Sequence, residues 1–478
     1  MLDASPPTVA SEAETAPTAS GLALGVWAPE RRRLTVGLVL TITLVAFESL
    51  AIATVLPTVE RDLGGLALYG WVFSGFFLAS LAGIVVTGIA ADRRGPVVPF
   101  SVGLVVFALG LVVGGLAPSM PILVVARVAQ GFGAGAIPAS AYAGVARGYP
   151  ATLRPRVFAV FATAWVIPGI VGPSLATLIE HIASWRWVFL GLLPLVAMAA
   201  TMAIPALARL SRSGDEARVD EQRKRADRAR LGLVSVLVVG VALVLAASTA
   251  GSLLLAVGLV AVGLPVAALA FLRLVPAGTL ALRAGLPAVV GVRGLLTWAF
   301  FGADAYVSLA VVEGRGGSTL LAGLVLSVTA VLWTAGAWIQ ERWVGRLGPR
   351  RLDRIAFALL AVASTALLVV TLLLPAWLAV PAWGLAGFGM GLGYAPLSVS
   401  ALGAARPGRE GEATAALQLC DVLGVSIGAG VGGALIALSE ARHWDVSVGA
   451  ALAFAAGALV AAAGIVAAGR LPDRIPGA

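Results

Sequence analysis

Of 478 residues, 59% are hydrophobic and only 12% charged, and the mean hydropathy is +0.98. A soluble domain carries about 25% charged residues, so this chain cannot cover a water-facing surface; its net charge of +9 reads as the basic bias of cytoplasmic loops, with no nucleic-acid partner needed to explain it. A single cysteine, Cys420, excludes an intramolecular disulfide and a multi-cysteine metal site, and His181 and His443, near predicted helix ends, do not make a metal-binding cluster.

Residues 1–33 are polar, rich in Ala, Pro, Thr and Glu, and lack the short apolar core of a secretory signal; they predict a disordered cytoplasmic N-terminus. Arg31, Arg32 and Arg33 precede the first apolar run. Helix-length spans then fall at about 34–57, 69–90, 98–117, 121–146, 157–181 and 187–208. A charged stretch over 209–230 comes next, followed by spans at about 231–249 and 252–273. Six more lie at about 287–312, 319–340, 355–374, 378–403, 413–438 and 447–469. Apolar runs of this length exclude an outer-membrane barrel, whose strands alternate over about ten residues. The pattern predicts an all-α polytopic membrane protein of 14 spans. A six-helix bundle covers 34–208, a charged cytoplasmic loop with two linker helices covers 209–286, and a second six-helix bundle with a short tail covers 287–478.

With the N-terminus inside, 28 of 33 Lys+Arg lie in cytoplasmic segments and four (Arg61, Arg186, Arg315, Arg442) lie outside. That bias places both termini in the cytoplasm. Arg127 is left as the sole arginine well inside a span. Weak internal repetition accompanies the six-plus-six pattern: Asp92-Arg-Arg-Gly-Pro96 and Gly345-Arg-Leu-Gly-Pro349 share their Gly-Pro step at an offset of 253 residues. Repeated halves with a site between them are typical of secondary transporters.

Three carboxylates interrupt the apolar runs: Glu48, Asp304 and Asp421. An ionised carboxylate at the bilayer centre costs roughly 2.5–3.5 kcal/mol on insertion scales. Such residues persist as binding sites for protons, ions or substrate, or as partners of a buried cation. Glu48 and Asp304 sit at similar depth in the first helix of each six, and pseudo-symmetric packing would turn both to one cavity. For Asp421 two readings stand open, lining an inner vestibule or pairing with an arginine. For Arg127, with Gln130 one turn away, they are pairing with a buried carboxylate or snorkelling to the outer surface. Trp165, Trp298, Phe301 and Tyr306 are aromatic candidates for contacts to a lipophilic cation, or packing residues. Glu180, at an outer helix end, reads as a rim residue.

The loop Gly88-Ile-Ala-Ala-Asp92-Arg93-Arg94-Gly95 resembles the G-x-x-x-D-R-x-G signature of the major facilitator superfamily, with Pro96 and Val97 in place of two basic residues. Gly88 suits close helix approach, Gly95 a tight turn, and Asp92 a helix N-terminus, whose dipole favours an anion. Arg127-Val-Ala-Gln130-Gly131-Phe-Gly133 is similar to the family's R-x-x-Q-G-x-G motif. Pro168-Gly169-Ile-Val-Gly172-Pro173 resembles its antiporter motif, with Ala176 and Thr177 at positions usually small; Pro173 removes a backbone hydrogen bond and bends the fifth helix. Leu56-Pro57 and Ser184-Trp-Arg-Trp-Val-Phe189 are similar to the fourteen-helix drug:proton antiporter branch.

The resemblance implies a major facilitator fold with alternating access, and proton-coupled antiport that exports an amphipathic drug or metabolite across a bacterial inner membrane. The expected working form is a monomer. Glu48, Asp304, Asp421, Arg127 and Gln130 would serve proton coupling or substrate. Gly88, Asp92, Arg93, Gly95, Gly169, Gly172 and Pro173 would gate, with Asp92 latched to the helix that starts near Gly411–Thr414. A lipid or glycolipid exporter of the same fold is the alternative. No nucleotide-binding G-x-x-x-x-G-K-[ST] occurs, so the expected energy source is the proton gradient, without a cofactor. No cluster of catalytic residues near one face suggests an intramembrane enzyme.

Overall fold

The computed structural model describes residues 25–150, 153–212, 221–406 and 410–474, and the central charged stretch falls partly outside them. The protein is 88% helical with no strand among the described residues. In lipid every backbone polar group must be satisfied within the chain, which leaves helices as the form for these runs.

The helices in order are α1 (Pro29–Leu63), α2 (Tyr69–Arg94), α3 (Val97–Gly115), α4 (Met120–Gly148), α5 (Arg154–Ile182) and α6 (Leu193–Arg212). The one-turn helix Arg186–Leu190 precedes α6. Next come α7 (Glu221–Ala246), α8 (Leu253–Leu274) and α9 (Leu286–Leu309). The helical run Thr319–Leu373 has 55 residues, about 80 Å at 1.5 Å per residue. A bilayer core is about 30 Å thick, so one crossing cannot hold it. It breaks at Gly348 (φ 72°, ψ 164°) ahead of Pro349, giving α10 (319–347) and α11 (349–373). The last three are α12 (Ala379–Gly403), α13 (Glu410–Ala441) and α14 (Val446–Ala467). Thirteen helical stretches of membrane-span character thus make fourteen crossings once the break is counted. The first helix starts at Pro29, so Arg31, Arg32 and Arg33 lie on its first turns and not in a disordered leader.

The internal repeat is visible in the backbone. Gly95 (φ 80°, ψ 165°) precedes Pro96 between α2 and α3, and Gly348 adopts nearly the same angles before Pro349 between α10 and α11. Only glycine adopts that region freely.

α1–α6 pack among themselves, as do α9–α14, and the halves meet along two related seams, α2 on α13 and α5 on α10. In each case the second helix of one half lies on the fifth of the other. Alternation of the crossings puts Arg93, Arg94, Arg147, Arg154, Arg346, Arg350 and Arg351 on one face, the arginine-rich face. The bonds that join the halves sit toward the opposite ends. On the first seam Ser74 Oγ donates to the Ser426 carbonyl (2.9 Å) and Ser426 Oγ to that of Ser74 (3.3 Å), with Gly70 and Gly433 in backbone contact nearby. On the second, Ser174 and Ser327 share a hydroxyl bond of 2.9 Å, and Thr177 and Glu180 bond Thr319. Arg61 pairs with Glu313 between the ends of α1 and α9. Toward the arginine-rich face, a side chain at Gly88 or Gly345 would meet open space.

The linker helices differ from each other. α7 packs on both α2 and α13, with Leu245 seated on Gly430, and so covers a seam between the halves. α8 packs on α7, and only 17% of its apolar window is buried, against 78% for α9.

Candidate functional site

The N-terminal half closes around one ion pair. α4 approaches α2 so closely that a Cβ at Gly131 or Gly135 would strike the backbone carbonyl of Phe76 or Ser80, and one at Gly83 that of Phe132. This contact brings Arg127 into the bundle. Its side chain is 1% exposed and pairs with Glu48 of α1, itself 2% exposed. It also donates to Gln130 Oε1 (2.8 Å) and the Val72 carbonyl (3.1 Å), and its guanidinium lies 4.2 Å from the Phe76 ring centre. Of the two sequence readings for Arg127, snorkelling is therefore overturned: the guanidinium is enclosed against a carboxylate and two neutral acceptors. Glu48 Oε1 takes the ion pair, while Oε2 and Gln130 Nε2 are enclosed without a hydrogen-bond partner among the described residues.

The C-terminal half holds a second buried pair that corrects the sequence reading. Arg293 on α9, counted among the cytoplasmic arginines, is 4% exposed and pairs with Asp421 of α13 at 2.7 Å. Arg127 is thus not alone within the spans, and of the two readings for Asp421 the pairing with arginine holds. Arg293 also donates to the Tyr394 carbonyl (2.6 Å) and stacks over the Tyr394 ring, 3.1 Å from its centre. Tyr394 Oη donates to Asp421 Oδ2 (3.0 Å).

Asp304 accepts a hydrogen bond from Trp383 Nε1 (2.7 Å) on α12 of its own half, while Glu48 turns inward among α1, α2 and α4. The two first-helix acids therefore do not converge on one cavity in this conformation. Trp383 stacks on Phe300 (5.2 Å), and Phe300, Phe301, Trp333 and Tyr394 continue an aromatic wall toward the Arg293–Asp421 pair. Phe301 belongs to this wall. Tyr306 is a packing residue instead: fully buried, it donates to the Ala429 carbonyl and fills the space over Gly432 and Gly433. Trp298 lies against Gly428, and Trp165 of α5 is exposed. An apolar groove of about 270 Å³ lies between α1, α5 and the Trp187–Leu195 segment, and none of the three acids lines it.

Among the residues expected to gate, Gly169 faces Ala330 of α10 across the second seam, and Gly172 faces Phe47 of α1. α5 runs as one helix through Pro168 and Pro173, and the Pro173 carbonyl accepts from Thr177 (3.0 Å). Gly95 makes its turn with positive φ. Gly88, read as a point of close helix approach, is half-buried, and a Cβ added there would meet no atom of another helix within 4 Å in this conformation. Arg93 is held by Asp227 of α7 (2.8 Å). The Asp92 side chain lies outside the described residues, and with it the contact to the start of α13. Near the arginine-poor face, Trp185 and Arg186 of the Ser-Trp-Arg-Trp run both donate to Asp62 (3.0 and 2.8 Å), tying the one-turn helix before α6 to the end of α1.

Sequence reasoning missed Arg293, Asp353, Trp383 and Tyr394. Arg293 lies seven residues past the start of α9, close enough to the helix start to be counted with the cytoplasmic arginines. Asp353 was masked by the arginines around it, which read as a loop.

The Major Facilitator Superfamily model matches residues 38–429. The chain belongs to that superfamily of transporters and is a multi-pass membrane protein. It is 28% identical over 447 residues to a Mycobacterium tuberculosis protein named "Probable multidrug-efflux transporter", covering 87% of this chain and 89% of that one. It is also 28% identical over 169 residues to a multidrug efflux pump of Staphylococcus aureus, covering 35% and 38%. Among solved structures, a peptide transporter of the POT family superposes with a TM-score of 0.66 at 16% identity, covering 92% of this chain and 97% of that one. A D-xylose–proton symporter superposes at 0.59 and 15%, covering 92% and 98%. At those identities the likeness concerns the fold.

Proposed function

We propose that the protein exports amphipathic, cationic compounds in exchange for protons, by alternating access across a bacterial inner membrane. The observation that carries this reading is the enclosed Glu48–Arg127 pair, with Glu48 Oε2 left free to take a proton. Protonation of Glu48 removes half of a charge pair inside the N-terminal bundle, and a bundle that has lost that pair favours a different packing. Asp304 beside the wall of Phe300, Phe301, Trp333 and Trp383 supplies what a lipophilic cation needs, a carboxylate next to aromatic faces.

The positive-inside rule assigns the arginine-rich face to the cytoplasm, with both termini there. We read the conformation as inward-facing, because the hydrogen bonds between the halves lie away from the arginine-rich face and an added Cβ at Gly88 or Gly345 meets open space there. Release of the Ser74–Ser426 and Ser174–Ser327 contacts, with closure around Gly88, Asp92 and the start of α13, gives the other state. The protein works as a monomer without a cofactor, and the proton gradient supplies the energy. Export of a lipid or glycolipid is not favoured, since a relative that matches nearly full length is named for multidrug efflux.

The test uses proteoliposomes with an imposed proton gradient, a lumenal pH dye and a panel of lipophilic cations, neutral drugs and lipids. Substrate-dependent proton movement that disappears in Glu48→Gln supports the reading. Substrate movement indifferent to both gradient and substitution would sink it.

A further inference from the structure

Asp353 lies on the first turns of α11, fully enclosed, with both carboxylate oxygens lacking a hydrogen-bond partner among the described residues. Its neighbours in sequence do not serve it. Arg350 donates to the Leu471 carbonyl (2.8 Å) and pairs with Asp473, Arg351 is exposed, and Arg354 lies against Gly469. α12 presses on the carboxyl so closely that a Cβ at Gly393 would sit 3.0 Å from Asp353 Oδ1. The next residue, Tyr394, takes Arg293 on its carbonyl. Asp353 and Arg293 thus lie against consecutive residues of α12, Gly393 and Tyr394. Among the described residues the charged group that acts on Asp353 is Arg293 from α9, itself held by Asp421 of α13 and Tyr394 of α12, while α14 has no titratable residue between Val446 and Ala467.

Arg293 gives its Nε to Asp421 Oδ1 and an Nη to the Tyr394 carbonyl, and among the described residues no hydrogen bond or ion pair joins it to Asp353. A buried carboxylate without hydrogen bond or cation is very costly, and the neutral acid far less so. We propose that Asp353 is a proton-binding site, occupied in this conformation, and that on losing its proton it draws the Arg293 guanidinium away from Asp421. The O–H bond breaks, the proton leaves to water at the arginine-rich face, and a carboxylate–guanidinium pair forms across Gly393. Two acids then compete for one arginine, with a single proton deciding which holds it. α9, α11, α12 and α13 are re-tied by the exchange. The site stands apart from Glu48, and its test reads a carboxyl group's titration and not transport.

The experiment is infrared difference spectroscopy of the full chain in lipid, titrated with pH. Wild type should show the carbonyl stretch of a protonated carboxyl that disappears as pH rises, and Asp353→Asn should lack that component. In Asp421→Asn, Arg293 is released toward Asp353, so the component should titrate at lower pH by about one unit or more, the equivalent of a tenfold shift in proton affinity. A component unchanged in Asp353→Asn overturns the proposal. So does a titration unmoved or raised in Asp421→Asn, and this second arm decides the matter if Asp353→Asn does not yield folded protein.

Discussion

Removal of Glu48 strands a guanidinium that is 1% exposed. Breaking a buried ion pair from one side typically costs 3–5 kcal/mol, because the remaining charge is uncompensated. Arg127 would keep the Gln130 and Val72 oxygens and the Phe76 ring, which soften the loss. The expected cost of Glu48→Ala is therefore near the lower end, about 3 kcal/mol. Replacing both partners by apolar residues of similar volume, Glu48→Leu with Arg127→Met, leaves no charge to strand and should recover most of that loss. Transport should not recover, since the protonatable group is gone. The assay pairs apparent melting in lipid nanodiscs with substrate-driven proton flux in proteoliposomes. Two results would refute the reasoning. In one, the double variant is as unstable as Glu48→Ala, so the cost is packing and not charge. In the other, the double variant transports, so the pair is structural.

Three further effects follow from local geometry. Gly95→Ala and Gly348→Ala each force a side chain into a glycine-only backbone region, for about 1–3 kcal/mol; Gly348→Ala should be worse, since its Cβ would also strike the Asp473 carbonyl, and equal melting shifts would contradict this. Trp383→Phe keeps a ring against Phe300 but removes the donor to Asp304, about 1.5–3 kcal/mol for a bond to a charged group; the loss should shrink in an Asp304→Asn background. Asp445 caps α14 by accepting from the Ser447 N–H (2.8 Å), a bond that holds its carboxyl below the usual range. Its stabilisation is therefore present above the unfolded-state value and lost as pH falls through the depressed folded value. Asp445→Ala should cost about 1 kcal/mol at neutral pH and match wild type in acid, checked by melting across a pH series.

The fourteen crossings were legible because lipid imposes one length and one hydropathy on every span, and that survives in the sequence without partners. The Gly-Pro step shared by residues 95–96 and 348–349 was legible too, since positive φ demands glycine whatever surrounds it. Pairings were not. Arg127 with Glu48 joins positions 79 apart and Arg293 with Asp421 positions 128 apart, and nothing local tells an arginine near a helix start whether it faces a headgroup or a carboxylate. Asp304 read as the partner of Glu48 from its depth alone. Rotation about the helix axis decides where a side chain points, and Trp383 on α12 sets that for Asp304.

The bonds between the halves consist mostly of hydroxyls and backbone carbonyls on small residues, a choice that bears on how the transporter switches. Ser74 and Ser426 exchange hydrogen bonds with each other's carbonyls while Gly70 and Gly433 touch. Small residues let the backbones meet, and neutral hydrogen bonds of this kind in a membrane average well under about 2 kcal/mol each. Such a seam is tight enough to seal and weak enough to open without stranding a charge. In a Cys420→Ser background, Ser74→Cys with Ser426→Cys places two thiols where the hydroxyls now reach across. Oxidation should form the cross-link readily and hold the arginine-poor ends together. Transport should stop on oxidation and return with a reductant, while either single cysteine should leave it intact. A fully cross-linked protein that still transports would show that this seam never opens, and alternating access through α2 and α13 would have to be abandoned.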